Sequence, residues 1–67
     1  MVTIQKVENE RVVGGEKAIN VELRGLSGDN KPTEIGEKII DNGSVFVEMD
    51  TGKLYFYDLE NEQWKEA

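Results

Sequence analysis

Residues 44–58 read SVFVEMDTGKLYFYD, and this stretch decides the fold class. Two runs rich in β-branched and aromatic residues, 44–49 and 53–58, flank the turn residues Asp50, Thr51 and Gly52. Such side chains favour extended strands, and a short connection that contains glycine favours a hairpin. The stretch therefore predicts a β-hairpin.

Two registers are open for this hairpin. A two-residue Thr51-Gly52 loop pairs Val47 with Phe56, but it requires a positive φ at Thr51, which is costly for a β-branched residue. Its apolar face would comprise Val45, Val47, Met49, Leu54 and Phe56. A type I turn through Asp50 and Thr51, with Gly52 as the left-handed bulge residue, avoids that strain. It would place Phe46, Leu54 and Phe56 on one face, and Val45, Val47, Met49, Tyr55 and Tyr57 on the other. We favour the bulged register and expect both faces to be covered.

The N-terminal half predicts further strands. Residues 18–23 alternate between apolar and polar side chains, which is typical of a half-buried strand. Ile19, Val21 and Leu23 would point inward, and Asn20, Glu22 and Arg24 outward. Residues 2–7 predict a strand that ends in a turn at 8–10, and the apolar alternation slips at Val7. Residues 11–13 predict a second short strand that ends at Gly14-Gly15, because adjacent glycines favour a tight turn.

The remaining segments complete a small sheet. Residues 25–33 predict a loop, 41–43 a turn, 59–63 a polar turn and 64–66 a final short strand. Residues 34–40 predict a turn of helix or irregular chain, because their isoleucines fit helical spacing although Gly36 costs about 1 kcal/mol in a helix. Together they predict one small domain over residues 1–67 that is mainly β. It would be a small antiparallel sheet or meander of about five or six short strands with at most one helical turn.

The composition excludes several classes of function. The chain has no histidine and no cysteine, so Ser27 and Ser44 lack a histidine base, and no thiolate can bind zinc. We therefore expect no enzyme and no cofactor. The net charge is −6, and residues 41–67 hold seven acids and two lysines. Such a charge balance argues against nucleic acid as a ligand, because phosphate binding needs clustered lysine or arginine.

Neither a membrane anchor nor a metal site is predicted. The first residues lack a basic segment followed by an apolar run, and no apolar run is long enough to span a membrane. Asp29, Asp41 and Asp50 lie near glycines, as ligands do in calcium loops, but no window matches the spacing of an EF-hand. Turns capped by their own side chains are the preferred interpretation.

The aromatic residues allow three interpretations. Phe46, Tyr55, Phe56, Tyr57 and Trp64 could form the core, anchor a protein interface or stack on a sugar. The core interpretation is favoured for the cluster as a whole. If a surface is used for binding, we expect either an exposed sheet edge or the tyrosine face around Tyr55 and Tyr57. The candidate interaction surface comprises Tyr55, Tyr57, Trp64 and Glu48.

Residues 42–58 and Trp64 resemble a pattern found in small proteins and appendages of tailed bacteriophages and prophages. That pattern reads approximately Gly-Ser-x-Phe-x-Glu-x-Asp-Thr-Gly-Lys-x-Tyr-x-Tyr-Asp, followed by a turn and a tryptophan. Residues 26–33, LSGDNKPT, resemble the loop that often precedes it. The resemblance covers about half of the chain, and Met49 and the acidic turn 59–63 depart mildly from it.

The resemblance implies a non-enzymatic phage or prophage structural or accessory protein that acts through protein–protein contacts. Its expected partners are virion components or a second copy of the chain, in the cytoplasm of the bacterial host or in the assembled virion. Two alternatives stay open. One is a small carbohydrate-binding module that uses Trp64 and the tyrosines. The other is an acidic regulator or inhibitor of a basic partner.

Overall fold

The computed structural model describes residues 2–67, which form seven strands and no helix. The strands are β1 (Thr3–Val13), β2 (Glu16–Gly25), β3 (Glu34–Ile35), β4 (Lys38–Ile40), β5 (Val45–Glu48), β6 (Leu54–Asp58) and β7 (Gln63–Glu66). The predicted mainly-β fold is confirmed, although β1 and β2 are long strands of 11 and 10 residues. No helix in the described residues could cross a membrane.

β1 and β2 form a hairpin that is closed by the two predicted turn glycines. Gly14 and Gly15 have φ values of 58° and 84°, which glycine adopts at little steric cost. β1 runs without interruption through residues 8–10, so the predicted turn there and the separate strand at 11–13 are wrong. The pairing with β2 skips Gln5 and Glu8 as bulges. Each bulge shifts the alternation of side chains between the two faces by one residue. This shift accounts for the slip in the apolar alternation at Val7.

The outer edge of β1 is exposed along its length. β1 pairs with β2 and with no other strand of residues 2–67, and its side chains are exposed except for Val13. The two bulges and the charged Lys6 and Glu8 make this edge irregular. Such features protect a sheet edge from pairing with another strand.

The opposite edge of β2 pairs in succession with β4 and β5, both parallel to it, so the sheet is mixed. Ser44 fills the gap between these two pairings. Its buried hydroxyl accepts a hydrogen bond from the Val21 amide at 3.1 Å and donates to the Asp41 carbonyl at 2.9 Å. The Asp41 amide donates to the Ile19 carbonyl at 2.7 Å. A side chain thus replaces a backbone partner where β4 ends and β5 begins.

Residues 34–40 form a small β-hairpin, so the predicted helical turn or irregular chain is wrong. β3 and β4 are antiparallel, and Gly36 between them has a φ of 62°. Ile39 and Ile40 pair with Ala18 and Ile19 of β2. The hydrogen bonds that β2 offers therefore override the helical spacing of the isoleucines.

The meander of β5, β6 and β7 is confirmed, but both predicted registers of its hairpin are wrong. Val45 pairs with Phe56 and Val47 with Leu54, and residues 49–52 form the loop. Gly52 has a φ of 76°, as the favoured turn required, and its amide donates to the Glu48 carbonyl at 2.8 Å. The side chains of β5 and β6 nevertheless divide between the two faces as the register of the two-residue loop predicted. The observed register differs from that register by two residues, and a shift of two residues leaves every side chain on the same face.

The core lies on one face of the sheet, which we call the front face. It comprises Ile19, Val21, Leu23, Ile40, Phe46 and Tyr57, with Val2, Ile35, Tyr55, Leu59 and Trp64 packed against it. Residues 26–33 fold over part of this face. The Trp64 indole donates to the Pro32 carbonyl at 2.8 Å, and the Lys31 ammonium lies 4.9 Å from the centre of the Phe46 ring. We call the opposite side of the sheet the back face.

Candidate protein-interaction surface

The front face contains all four residues of the candidate interaction surface that the sequence suggested. Tyr57 and Glu48 are buried, with 4% and 3% of their surface exposed. Tyr55 and Trp64 are half-buried against the core. The four residues therefore lie together, but the two that are buried present no open surface to a partner.

Glu48 belongs to a buried ion pair beneath residues 26–33. Its carboxylate accepts hydrogen bonds from the Lys31 ammonium at 2.8 Å and from the Thr51 hydroxyl at 2.7 Å. These bonds, that of Lys31 first, lower the pKa of Glu48. The same ammonium lies 4.2 Å from the centre of the Tyr55 ring, and desolvation, followed by the charges of Glu48 and Glu66, raises the pKa of Tyr55. The cluster holds residues 26–33 against the hairpin.

Trp64 packs edge-on against two other aromatic rings. Its ring centre lies 5.0 Å from that of Tyr57 and 5.9 Å from that of Phe46. Such arrangements are typical of aromatic pairs in protein cores. The contacts support the core interpretation for these three residues rather than an open platform for a sugar.

The aspartates beside glycine turns are engaged in hydrogen bonds within the chain. Asp29 accepts from the Leu26 amide at 2.9 Å, and Asp50 from the Ser27 hydroxyl at 2.6 Å. Asp41 accepts two bonds from the Arg11 guanidinium at 2.6 and 2.7 Å, and these bonds lower its pKa. Within residues 2–67, no group of three or more acidic residues is arranged to hold a metal ion, and no pocket is detected.

Ion pairs also account for much of the acidic C-terminal half. Asp41 pairs with Arg11, and Glu48 with Lys31. Asp58 pairs with Lys65 at 3.1 Å, and hydrogen bonds from Asn61 and then Lys65 lower its pKa to about 2. The excess of acids after residue 40 is thus partly compensated inside the fold.

The back face carries a compact set of apolar side chains, which we call the back-face patch. It comprises Val45, Val47, Leu54 and Phe56. The two valines are half-buried, and Leu54 and Phe56 are 43% and 44% exposed. They form two directly opposed pairs across β5 and β6, where side chains approach most closely. Residues 26–33 fold over part of the front face, whereas Leu54 and Phe56 of this patch stay exposed.

Charged residues flank the back-face patch on both sides. Glu22 of β2 pairs with Val45, and Lys65 of β7 pairs with Phe56. A single row of side chains therefore runs across five strands in the order Lys6, Glu22, Val45, Phe56 and Lys65. The Glu22 and Lys65 side chains are 38% and 56% exposed. An apolar centre with a charged rim is the common composition of a protein-interaction surface.

Sequence reasoning did not select the back-face patch as the interaction surface. The signal was present, because the two-residue loop groups these four residues with Met49 on one face. The favoured register instead divided them between both faces. The tyrosines then stood out as candidates, because tyrosine and tryptophan are enriched at interfaces.

Comparison with protein-family models, with curated proteins and with solved structures found no match to this chain. Function is therefore inferred from the composition, the resemblance of residues 42–58 and the geometry of the two faces.

Proposed function

We propose that this chain is a small, non-enzymatic phage or prophage structural or accessory protein that acts through protein–protein contacts. The contact surface is the back-face patch, and its partners are virion components or a second copy of the chain. The protein would act in the cytoplasm of the bacterial host or in the assembled virion. The assignment to phages rests on the resemblance of residues 42–58 and Trp64.

One observation carries the proposal of a contact surface. Leu54 and Phe56 are large apolar side chains, each more than two-fifths exposed, and they lie side by side with two half-buried valines on one sheet face. Contiguous exposed apolar side chains that are rimmed by charge mark interaction sites more often than isolated ones do. A small domain also gains stability when a partner covers such a face.

The two alternative functions receive less support from the structure. A carbohydrate-binding module would use Trp64 and the tyrosines, which pack against the core of the front face. An acidic regulator would present its carboxylates to a basic partner, yet Asp41, Glu48 and Asp58 are paired inside the chain.

A binding experiment with purified phage particle proteins tests the proposal. The phage or prophage whose genome encodes the chain supplies the particle proteins, and mass spectrometry identifies those that are captured. We expect capture of at least one particle protein by the native chain. We expect Phe56→Thr to abolish it, because threonine keeps the strand preference but removes the apolar ring.

Val12→Thr is the matched control, because Val12 is an apolar strand residue that is 70% exposed and lies outside the back-face patch. It should capture the same particle protein as the native chain. If no particle protein binds, the proposed phage role is wrong. If Phe56→Thr and Val12→Thr bind equally well, the back-face patch is not the contact surface.

A further inference from the structure

The turn between β4 and β5 contains the only Asn-Gly pair of the sequence, Asn42-Gly43. Both residues are exposed to solvent. Gly43 has a φ of 81°, which a residue with a side chain rarely adopts. The side-chain carbonyl of Asn42 accepts a hydrogen bond from the Leu59 amide at 2.6 Å. The turn therefore depends on the glycine for its backbone geometry, and on the asparagine to pair a main-chain amide that follows β6.

An asparagine that precedes glycine can lose its side-chain amide in water, because glycine has no side chain to obstruct the reaction. The Gly43 nitrogen attacks Cγ of Asn42, a C–N bond forms, and the bond from Cγ to the side-chain nitrogen breaks. That nitrogen leaves as ammonia and takes the Gly43 amide proton with it. Water then opens the five-membered imide, so that its hydroxyl joins a carbonyl carbon and its proton returns to the Gly43 nitrogen. The net change replaces the side-chain amide by a carboxyl group.

One segment, residues 57–59, restrains both reacting groups of this pair. The Gly43 amide donates a hydrogen bond to the Tyr57 carbonyl at 3.0 Å, so its proton is engaged in the sheet. The carbonyl of the Asn42 side chain is engaged by the Leu59 amide. The Gly43 nitrogen must leave Tyr57 before it can attack, and the Asn42 side chain must leave Leu59 before it can turn toward that nitrogen.

We propose that Asn42 is a site of spontaneous deamidation that is gated by residues 57–59. The reaction proceeds when this segment separates from the turn, and it stops while the segment is docked. The Tyr57 side chain is 4% exposed and packs against Trp64, and the Tyr57 amide donates to the Ser44 carbonyl at 2.9 Å. Separation therefore opens part of the core, and the carboxyl group at position 42 reports such openings. The site shares no residue with the back-face patch, so it is independent of the proposed function.

The gate determines the size of the effect. The rate in the native chain equals the rate in the unfolded chain multiplied by the fraction of molecules in which residues 57–59 are open. Because opening breaks several backbone hydrogen bonds, we expect the native chain to react at least about tenfold more slowly than the unfolded chain.

The same opening exposes the Gly43 and Leu59 amides to hydrogen exchange. Each of them loses its acceptor when residues 57–59 separate from the turn. The factor by which folding slows deamidation of Asn42 should therefore match, within about fivefold, the factor by which folding slows exchange of these two amides. Amide NMR measures the exchange in the native chain.

Incubation of the full chain at neutral pH tests the site. One sample is kept in buffer, and a second sample at the same pH and temperature contains urea above the unfolding transition. Mass spectrometry of proteolytic fragments locates the mass gain that replacement of NH2 by OH produces. The product should be a mixture of aspartate and isoaspartate, because water can open the imide at either carbonyl. In urea, Asn42 should react before the asparagines that are followed by larger residues, which are Asn9, Asn20, Asn30 and Asn61.

Two variants provide controls. Asn42→Ser has no side-chain amide, so its fragment should gain no mass. Gly25→Ala weakens the core at a residue that pairs with Glu48, at the end of β5 away from the turn. In the native buffer, it should change the deamidation rate of Asn42 and the exchange rate of the Gly43 amide by the same factor, because both need the same opening.

The results that would overturn the proposal are distinct. If Asn42 reacts no faster in urea than the other asparagines, it is not the modification site. If the native chain reacts as fast as the unfolded chain, residues 57–59 do not gate the reaction. A clear difference, in either direction, between the slowing of deamidation and the slowing of Gly43 and Leu59 exchange would also exclude the gate.

Discussion

Gly25→Ala tests whether Phe46 packs so closely against β2 that the core cannot accommodate one additional methyl group at Gly25. A Cβ atom at Gly25 would lie 2.8 Å from Cζ of Phe46, whereas carbon atoms in contact are normally about 3.5–4.0 Å apart. Phe46 is completely buried and packs edge-on against Trp64, so its ring has little room to move. Such overpacking costs about 1–3 kcal/mol. Alanine recovers part of this cost, up to about 1 kcal/mol, because it restricts the unfolded chain more than glycine does.

We therefore expect Gly25→Ala to lower the free energy of unfolding by about 1–2 kcal/mol. Urea unfolding followed by Trp64 fluorescence at a protein concentration near 1 μM measures this change. With an m-value of about 1 kcal/mol per M, the midpoint should fall by about 1–2 M. A chain of this size has a total stability of roughly 3–10 kcal/mol, so the effect is large enough to measure.

Phe46→Leu provides the decisive comparison, because leucine lacks the Cζ atom that alanine would meet. The variant itself should be less stable, but Gly25→Ala should cost about 1 kcal/mol less in that background than in the native one. Gly28→Ala is the matched control, since no atom lies within 4 Å of its added Cβ. Equal costs of Gly25→Ala in the two backgrounds, within about 0.5 kcal/mol, would refute a clash with Phe46. A Gly25→Ala variant as stable as Gly28→Ala would refute it as well.

Three further substitutions test other parts of the fold. Ser44→Ala should lower the free energy of unfolding by about 1–3 kcal/mol, because it leaves the buried Val21 amide unpaired; urea unfolding and hydrogen exchange of that amide measure the effect. Glu62→Gly should raise that free energy by about 0.5–1 kcal/mol, because Glu62 has a φ of 51°, and urea unfolding measures the gain. Lys31→Met should raise the pKa of Glu48, which carbon NMR titration of the carboxyl measures directly.

The acid dependence of stability follows from the lowered pKa of Glu48. Ionised Glu48 stabilises the fold above its ordinary pKa of 4.5, and this contribution is lost as the pH falls through the lower folded pKa. Lys31→Met should therefore shrink this contribution, so that the stability of the variant falls less than that of the native chain as the pH drops below 4.5. Unchanged acid unfolding and an unchanged Glu48 titration would contradict the buried ion pair.

Controls for the other two substitutions are available in the chain. Ser27→Ala removes an exposed hydroxyl that bonds Asp50, so it should cost less than Ser44→Ala. Glu60→Gly changes a neighbouring turn residue that has no positive φ, so it should not stabilise the chain. If Ser27→Ala costs as much as Ser44→Ala, the role given to the Ser44 hydroxyl is wrong. If Glu60→Gly stabilises the chain as much as Glu62→Gly, the strain assigned to Glu62 is wrong.

The front-face site shows how far the sequence alone could lead. The aromatic core interpretation was correct for Phe46, Tyr57 and Trp64, because a small sheet must bury its largest side chains. The ion pair of Lys31 and Glu48 was not predicted, since the two residues are separated by 17 positions and only the folding of residues 26–33 brings them together. The back-face patch could be identified only from the register of β5 against β6, because a slip of one residue moves every side chain of a strand to the other face.

The sequence by itself determined the local features of this protein. Adjacent glycines defined the first hairpin, period-two alternation defined β2, and Gly52 supplied the left-handed turn residue of the second hairpin. Each of these depends on neighbouring residues, whose steric preferences are the same in any fold.

Only the tertiary structure decided the parallel pairing of β2 with β4 and β5, and the register of β5 against β6. The loop of residues 49–52 is held by distant partners. The Met49 amide donates to the Gly25 carbonyl at 2.7 Å, and Asp50 accepts from the Ser27 amide at 2.9 Å. Contacts between segments so far apart in the chain carry no local pattern, because their energy is gained only when the segments meet. They decide that Phe46 lies inside and Phe56 outside.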